Sequence, residues 1–179
     1  LLNYRNVIRS IHFITSDDGL EMSYKRLTLS TSGIAKMIRR LADDKIKVNL
    51  ALSLHAASEE IRNNIMPIGG SNSLEDLRDS LKYYFSKTKR KITYEYVLLK
   101  DVNDTVKDAD NLYKFTKHIP SKVNLIEYNP VNGLGFEKSS EKNTNLFINY
   151  LDSRKVNVGL RRSRGKDINA ACGQLANKK

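Results

Sequence analysis

Val48-Asn49-Leu50-Ala51-Leu52-Ser53-Leu54-His55 is the stretch that decides the fold of this 179-residue chain. Its side chains are nearly all apolar, and such a run is typical of a β-strand that is covered on both faces. Strands of this kind belong to parallel sheets, because the helices that connect parallel strands pack over the sheet. The stretch therefore predicts an α/β fold built on a parallel sheet.

Strands and helices alternate on both sides of this stretch. Patterns rich in β-branched and aromatic residues predict further strands at residues 26–31, 91–99, 122–129 and 156–161. Apolar spacing and capping residues predict helices at residues 3–16 and 34–41, and helix starts near Ser58, Ser73, Thr105 or Asp108, and Ser140. This alternation predicts βαβ units and a mostly parallel sheet, either open or closed into a barrel.

Polar residues follow the predicted strands at their carboxyl ends, where functional groups collect in both kinds of sheet. The four clusters are Ser30-Thr31-Ser32-Gly33, Ser53-Leu54-His55-Ala56, Lys100-Asp101 with Asn103-Asp104, and Glu127-Tyr128-Asn129-Pro130. Together they predict a pocket for a polar small molecule. Each cluster also has a local interpretation: Ser30 to Ser32 as a helix cap, His55 as a satisfied histidine at the sheet edge, and Asn129 as part of a turn.

The composition narrows the class of partner. The net charge of +11 favours a polyanion, and nucleic acid is the first candidate, although a merely basic protein has the same charge. A single cysteine excludes an internal disulfide framework and fits a reducing compartment, and no apolar run is long enough to cross a membrane. The three scattered histidines show no metal-ligand spacing, and the phosphate-loop, dinucleotide and serine-hydrolase motifs are absent.

The only cysteine, Cys172, lies in a basic stretch near the end of the chain, residues 161–176. Small residues flank it, and four cations lie just upstream: Arg161, Arg162, Arg164 and Lys166. Nearby positive charge favours the reactive thiolate, and an unshielded sulfur leaves room for a reaction partner. The alternative is an inert cysteine that fills a small apolar space.

Several segments together resemble one family, the radical S-adenosylmethionine RNA methyltransferases. The resemblance runs through the whole chain in order, and its most specific parts are Leu52-Ser53-Leu54-His55-Ala56 and the tail from Arg161 to Leu175. The other matching segments are Leu1-Leu2-Asn3-Tyr4, Leu29-Ser30-Thr31-Ser32-Gly33, Met66-Pro67-Ile68, Tyr94-Glu95-Tyr96-Val97-Leu98-Leu99 with Val102-Asn103-Asp104, and Val123-Asn124-Leu125-Ile126 with Asn129-Pro130.

The resemblance implies a fold and a reaction. The fold would be a partial (βα) barrel of the radical-enzyme TIM type, with residues 1–179 as the C-terminal part of the core domain, its N-terminal strands missing, and residues 161–179 as a tail carrying the catalytic cysteine. The reaction would methylate carbon 2 of adenosine in ribosomal RNA and transfer RNA. Two molecules of S-adenosylmethionine would be used, one to methylate Cys172 and one to generate a radical at a [4Fe-4S] cluster.

Carried over position by position, the resemblance implies that Ser30, Ser53, Leu54, His55 and Asn129 contact S-adenosylmethionine. The positive charge of Arg161, Arg162 and Arg164 predicts that these residues contact RNA phosphates. The resemblance also implies a reducing electron donor such as flavodoxin, a monomeric state and a cytoplasmic location.

The chain also departs from the family pattern. The CxxxCxxC cluster loop and the Gly-Glu-Pro segment are absent, and the chain begins at Leu1. We therefore expect a C-terminal piece that is inactive alone, with cluster ligands outside this chain. Two alternatives stay open. One is a related enzyme acting on carbon 8 of adenosine; the other is a non-catalytic basic RNA-binding module using the tail arginines and the basic run at residues 87–91, a run that we interpret as a solvated helix end.

Overall fold

The computed structural model describes residues 1–66, 70, 72–131 and 135–162. Five strands form one sheet in the order β1-β2-β3-β4-β5, and every neighbouring pair is parallel. The strands are β1 (Thr28–Thr31), β2 (Asn49–Ser53), β3 (Ile92–Leu98), β4 (Ser121–Glu127) and β5 (Val158–Arg161). Each strand lies beside the one before it in the chain, as in a TIM-type barrel, so the predicted α/β fold with a parallel sheet is confirmed.

Within the described residues, six α-helices accompany the sheet: α1 (Tyr4–Thr15), α2 (Ala35–Asp43), α3 (Glu59–Ile65), α4 (Leu74–Thr88), α5 (Val106–Thr116) and α6 (Glu141–Ser153), with a 3₁₀ turn at Tyr24–Arg26. Three predicted caps are confirmed, because the hydroxyls of Ser73, Thr105 and Ser140 each accept a backbone N–H in the first turn. Ser58 precedes α3, but its side chain makes no capping bond. Two of the helices, α3 and α4, lie in the connection between β2 and β3.

The hydrophobic core lies between the helices and one face of the sheet. Alternate residues of each strand point into it, as shown by Leu50 and Leu52 of β2 and by Tyr94 and Tyr96 of β3, all at most 1% exposed. The intervening residues point to the opposite face, which we call the polar face and define by Ser30, Ser53, Glu95 and Asn124. On the polar face β2 presents Ala51, which is 4% exposed, and the half-buried Ser53, so the predicted strand is apolar on the core side and partly apolar and covered on the polar face.

Two buried tyrosines of the core differ in whether their hydroxyl group has a hydrogen-bond acceptor. The hydroxyl of Tyr84 lies 2.6 Å from the carbonyl oxygen of Val48 and 2.9 Å from that of Ile46. The ring of Tyr94 packs edge-on against that of Phe115, and its buried hydroxyl has no hydrogen-bond partner among the described residues. A buried hydroxyl without a partner is destabilising, since it has lost its bonds to water.

We therefore expect opposite effects from removing the two hydroxyls. Tyr94→Phe should raise the free energy of unfolding by about 1 kcal/mol, and Tyr84→Phe should lower it by about 1 to 2 kcal/mol. Urea denaturation of both variants beside the unsubstituted chain measures the two changes. A loss of stability in Tyr94→Phe would show that its hydroxyl has an acceptor after all.

Candidate functional site

The polar face carries a row of polar side chains on neighbouring strands. The sheet register pairs Ser53 of β2 with Glu95 of β3, and Glu95 with Asn124 of β4. The Asn124 amide donates to one Glu95 carboxylate oxygen at 2.9 Å, and no described residue donates to the other, buried oxygen. Ser30 lies on the same face of β1, opposite Ala51. The row thus places hydroxyl, carboxylate and amide groups side by side near the carboxyl ends of the strands.

His55 lies two residues beyond the end of β2 and has a left-handed backbone conformation, with φ at 57°. Its Nδ1 accepts the backbone N–H of Val97 at 3.2 Å, so its ring proton resides on Nε2. Burial, and secondly the positive charge of Arg62, lower the pKa of His55 to about 4. The imidazole is therefore neutral at physiological pH and can offer Nε2–H as a hydrogen-bond donor, but it is not a general acid or base there.

Asn103 holds this turn in place. Its amide nitrogen donates to the carbonyl oxygens of His55 at 2.7 Å and Val97 at 2.8 Å, while its side-chain oxygen accepts the Leu99 N–H at 2.7 Å. Its own carbonyl accepts the hydroxyl of Tyr96 at 2.9 Å. The side chain is fully buried. Asn103 is therefore a positioning residue that joins the ends of β2 and β3.

Arg62 of α3 performs a similar task at the end of β1. Its guanidinium is 1% exposed and donates to the carbonyl oxygen of Ser32 at 2.8 Å. The neighbouring Gly33 has φ at +96°, and a β-carbon there would lie 3.2 Å from the Arg62 Nη2. Close packing of the arginine against the strand-end loop thus requires a glycine.

Three comparisons with known proteins bear on this arrangement. The chain is 53% identical over 178 residues to a probable dual-specificity RNA methyltransferase RlmN of Christiangramia forsetii. It is 55% identical over 178 residues to the protein of the same name from Flavobacterium psychrophilum. Each alignment covers 99% of this chain and 51% of the relative. No protein-family model matches.

The chain resembles half of a dual-specificity RNA methyltransferase.

A solved structure agrees with this result. A radical SAM methyltransferase from Sphaerobacter thermophilus superposes with a TM-score of 0.91 at 35% identity, over 97% of this chain and 51% of that one. The structure of SuiB from Streptococcus suis, bound to S-adenosylmethionine, shares the fold alone, with a TM-score of 0.53 at 16% identity. The predicted resemblance to radical S-adenosylmethionine RNA methyltransferases is confirmed, and the chain spans about half the length of the curated relatives it matches.

The residues that the resemblance assigns to S-adenosylmethionine differ in their solvent exposure. Ser30 is exposed, Ser53 and His55 are half-buried, and Asn129 is 3% exposed just beyond β4. The Leu54 side chain is fully buried in the core, and its backbone N–H donates to the Glu95 carbonyl at 3.0 Å. Ser30, Ser53, His55 and Asn129 thus come from three strands whose carboxyl ends share one edge of the sheet.

The helix-cap interpretation of Ser30 to Ser32 is wrong. Helix α2 starts after Ile34, and the backbone N–H of Ala35 in its first turn is accepted by the Asn72 side chain at 3.0 Å. The hydroxyl of Thr31 accepts the N–H of Gly33 instead, at 3.1 Å. Asn72 precedes α4, so only the tertiary fold brings this cap to α2.

The cluster after the third strand does not join the pocket, contrary to the sequence-based prediction. Lys100 forms an exposed ion pair with Glu137 at 2.7 Å, and buried Asp104 accepts the Ser139 hydroxyl at 2.6 Å. The Asn103 side chain is fully buried and is occupied by its hydrogen bonds to the backbone carbonyls of His55 and Val97. Conversely, Glu95 and Arg62 lie near the strand ends although the sequence patterns did not predict them as site residues. The alternation of apolar and polar residues along β3 was the signal for Glu95, and no local signal identified Arg62.

Two further predictions concern the basic segments. Arg161 and Arg162 are exposed, whereas Arg164 and Cys172 lie outside the described residues. In the run at residues 87–91, Lys87 and Lys89 are exposed at the end of α4, and their ammonium groups lie 5.4 Å and 5.6 Å from the ring centroids of Tyr83 and Phe85. The exposure of these lysines agrees with the interpretation of the run as a solvated helix end.

Gly33 offers a test of the strand-end packing. A β-carbon there would lie 3.0 Å from Leu52 Cδ1 and 3.2 Å from Leu77 Cδ1, in addition to the contact with Arg62. Gly33→Ala should therefore lower the free energy of unfolding by about 2 to 4 kcal/mol, from backbone strain and crowding together.

Gly135 is the matched control. It also has a positive φ, +66°, but a β-carbon there meets nothing described within 4 Å. Gly135→Ala should lower the free energy of unfolding by only about 1 kcal/mol, from backbone strain alone. Urea denaturation measures both variants, and equal losses would contradict the close packing at Gly33.

Proposed function

We propose that residues 1–179 form the C-terminal part of a radical S-adenosylmethionine enzyme that methylates carbon 2 of adenosine in ribosomal RNA and transfer RNA. The observation that carries this proposal is identity above 50% along 99% of the chain to relatives named as dual-specificity RNA methyltransferases. The site supports it, since the matching strand ends assemble at one edge of a parallel sheet, where this fold class binds its ligands.

The described residues fit S-adenosylmethionine. A polar ligand with hydroxyl, amino and carboxylate groups needs several hydrogen-bonding partners, and Ser30, Ser53 and Asn129 with the Nε2–H of His55 supply them. The buried Glu95 oxygen that lacks a described donor adds an acceptor on the same face. When bound, S-adenosylmethionine supplies the transferable methyl group. The neutral His55 and the rigid Asn103 turn would hold the ligand without competing proton transfer.

The residues of this chain do not fit a [4Fe-4S] cluster. Such clusters are held by several cysteine thiolates, and the chain has one cysteine. Among the described residues, no group of three or more metal-binding side chains comes together. In the proposed enzyme the cluster is therefore held by the half that this chain does not cover.

Cys172 is proposed as the residue that carries the methyl group. Methyl transfer to sulfur is a displacement at carbon, which requires a nucleophilic thiolate, and the upstream cations favour that form. Arg161, Arg162 and Arg164 are proposed to contact RNA phosphates, consistent with the net charge of +11. The assignment of residues 161–179 as a catalytic tail rests on the resemblance.

The remaining parts of the proposal concern the setting of the enzyme. We propose a monomer that receives electrons from a donor such as flavodoxin and works in the cytoplasm. No helix among the described residues combines the length and apolar character needed to span a membrane.

A methylation assay tests the proposal. A chimera would join this chain to the half of the Flavobacterium psychrophilum relative that it does not cover, with its cluster reconstituted. We expect it to methylate carbon 2 of adenosine in both ribosomal and transfer RNA, read by mass spectrometry of the digested nucleosides. Product methylated on carbon 8 would favour the related enzyme. RNA binding without any methylated product would favour the non-catalytic module.

A further inference from the structure

Arg62 is a buried cation that the proposed cofactor contacts do not include. It is 1% exposed, and no described carboxylate lies within ion-pair distance of it. Its one described hydrogen bond goes to the carbonyl oxygen of Ser32, and its buried Nε has no described acceptor. Burial lowers the pKa of Arg62, and the charge of Glu59 partly opposes that shift. Even so, an arginine stays charged at physiological pH.

The acid nearest to Arg62 along the helix is already engaged elsewhere. Glu59 begins α3 one turn earlier, and its carboxylate accepts the backbone N–H of Leu74 at the start of α4. It therefore caps a second helix and does not pair with the guanidinium. A buried charge without a paired partner carries a large desolvation cost, which a stable fold would avoid by an apolar residue of similar size.

The position of Arg62 suggests what the charge serves. Its guanidinium contacts Ser32, two residues beyond Ser30, and its charge acts on His55 at the end of β2. Arg62 therefore contacts the end of β1 and acts electrostatically at the end of β2, two of the three strand ends that are proposed to contact S-adenosylmethionine. The α-amino acid part of that molecule contains a carboxylate, and at low dielectric a positive charge stabilises an anion some ångströms away without touching it.

We propose that Arg62 is a positioning residue for the carboxylate end of the cofactor: it fixes the Ser30–Gly33 loop through the Ser32 carbonyl and holds a positive charge behind the site. This inference rests on the proposed function and extends it. Arg62 acts through the loop and through its field, while the loop residues make the contacts.

Three ligands separate the charge effect from general damage to the site. S-adenosylmethionine and S-adenosylhomocysteine both contain the carboxylate, whereas 5′-methylthioadenosine lacks it. In Arg62→Met the dissociation constants of the first two should rise about tenfold or more, while that of methylthioadenosine, which is affected only by the loosened loop, should rise at least about threefold less. Isothermal titration calorimetry on the chimera described above, with its cluster reconstituted, measures all three. Equal weakening of the three ligands, or unchanged affinity for S-adenosylhomocysteine, would overturn the proposal.

A second variant guards against loss of folding. Arg62→Lys keeps the charge and changes the guanidinium, so it should retain the preference for the two ligands that contain the carboxylate. Circular dichroism checks that both variants are folded. Loss of that preference in a folded Arg62→Lys variant would also overturn the proposal.

A readout without ligand distinguishes failure of this inference from failure of the proposed function. If the unsubstituted chimera binds none of the three ligands, the proposed cofactor site is wrong. In that case NMR titration of the His55 imidazole still tests the charge of Arg62. Removing a facing positive charge in Arg62→Met should raise the pKa of His55 from its value of about 4, and an unchanged titration would refute the electrostatic role.

Discussion

Replacing Cys172 with alanine is expected to abolish methyl transfer to RNA. In the proposed enzyme the thiolate carries the methyl group, and the chain contains no second sulfur nucleophile of this kind. Loss of the nucleophile should reduce turnover by at least about 1,000-fold. Single-turnover assays of the chimera described above measure the loss. Cys172→Ser is a sharper variant, because the hydroxyl is similar in size but is a far weaker nucleophile at neutral pH.

RNA affinity provides the control for the Cys172 variants. Phosphate contacts depend on the basic residues, so the dissociation constant for RNA and its dependence on salt should stay nearly unchanged. Ala171→Ser alters the neighbouring position while keeping the thiol, and it should retain turnover. Unchanged methylation by Cys172→Ala would exclude the methyl-carrier mechanism, and a parallel loss of RNA affinity would show that the substitution disturbs the tail more widely.

Asn103→Leu is expected to produce the largest loss of stability among the substitutions considered. Leucine matches asparagine approximately in size but leaves the carbonyls of His55 and Val97 and the N–H of Leu99 without their partner, in a fully buried position. Each unsatisfied buried group costs about 1 to 3 kcal/mol, so the free energy of unfolding should fall by at least about 3 kcal/mol. Because the His55 turn loses its anchor, affinity for S-adenosylmethionine should fall as well.

Asn6→Leu is the matched control for Asn103→Leu. Asn6 is exposed on α1, and its amide donates only to the side chain of Asn3, at 2.8 Å. Its substitution should change the free energy of unfolding by no more than about 0.5 kcal/mol. Urea denaturation measures both variants. Similar losses in the two would show that the Asn103 hydrogen bonds add little to stability.

The part of the candidate site that could be predicted is the part that depends on patterns of residues close together in the sequence. Ser30 and Ser53 lie within strands that the sequence pattern identified, and His55 and Asn129 lie just beyond such strands. Parallel strands bring their carboxyl ends to one edge. The same reasoning placed the residues after β3 in the pocket, which was wrong for Lys100, Asp104 and Asn103. A polar residue beyond a strand can face the ligand, the solvent or the interior, and local spacing does not distinguish these directions.

The sequence by itself determined the order of helices and strands, three helix caps, the parallel sheet and the resemblance to radical S-adenosylmethionine RNA methyltransferases. These features depend on residues a few positions apart, where periodicity and capping act directly. The tertiary structure alone decided that Asn72 caps α2, that Asn103 anchors His55 and that Arg62 supports Ser32. Those bonds join residues 30 to 48 positions apart, and such pairings arise only when the helices pack against the sheet.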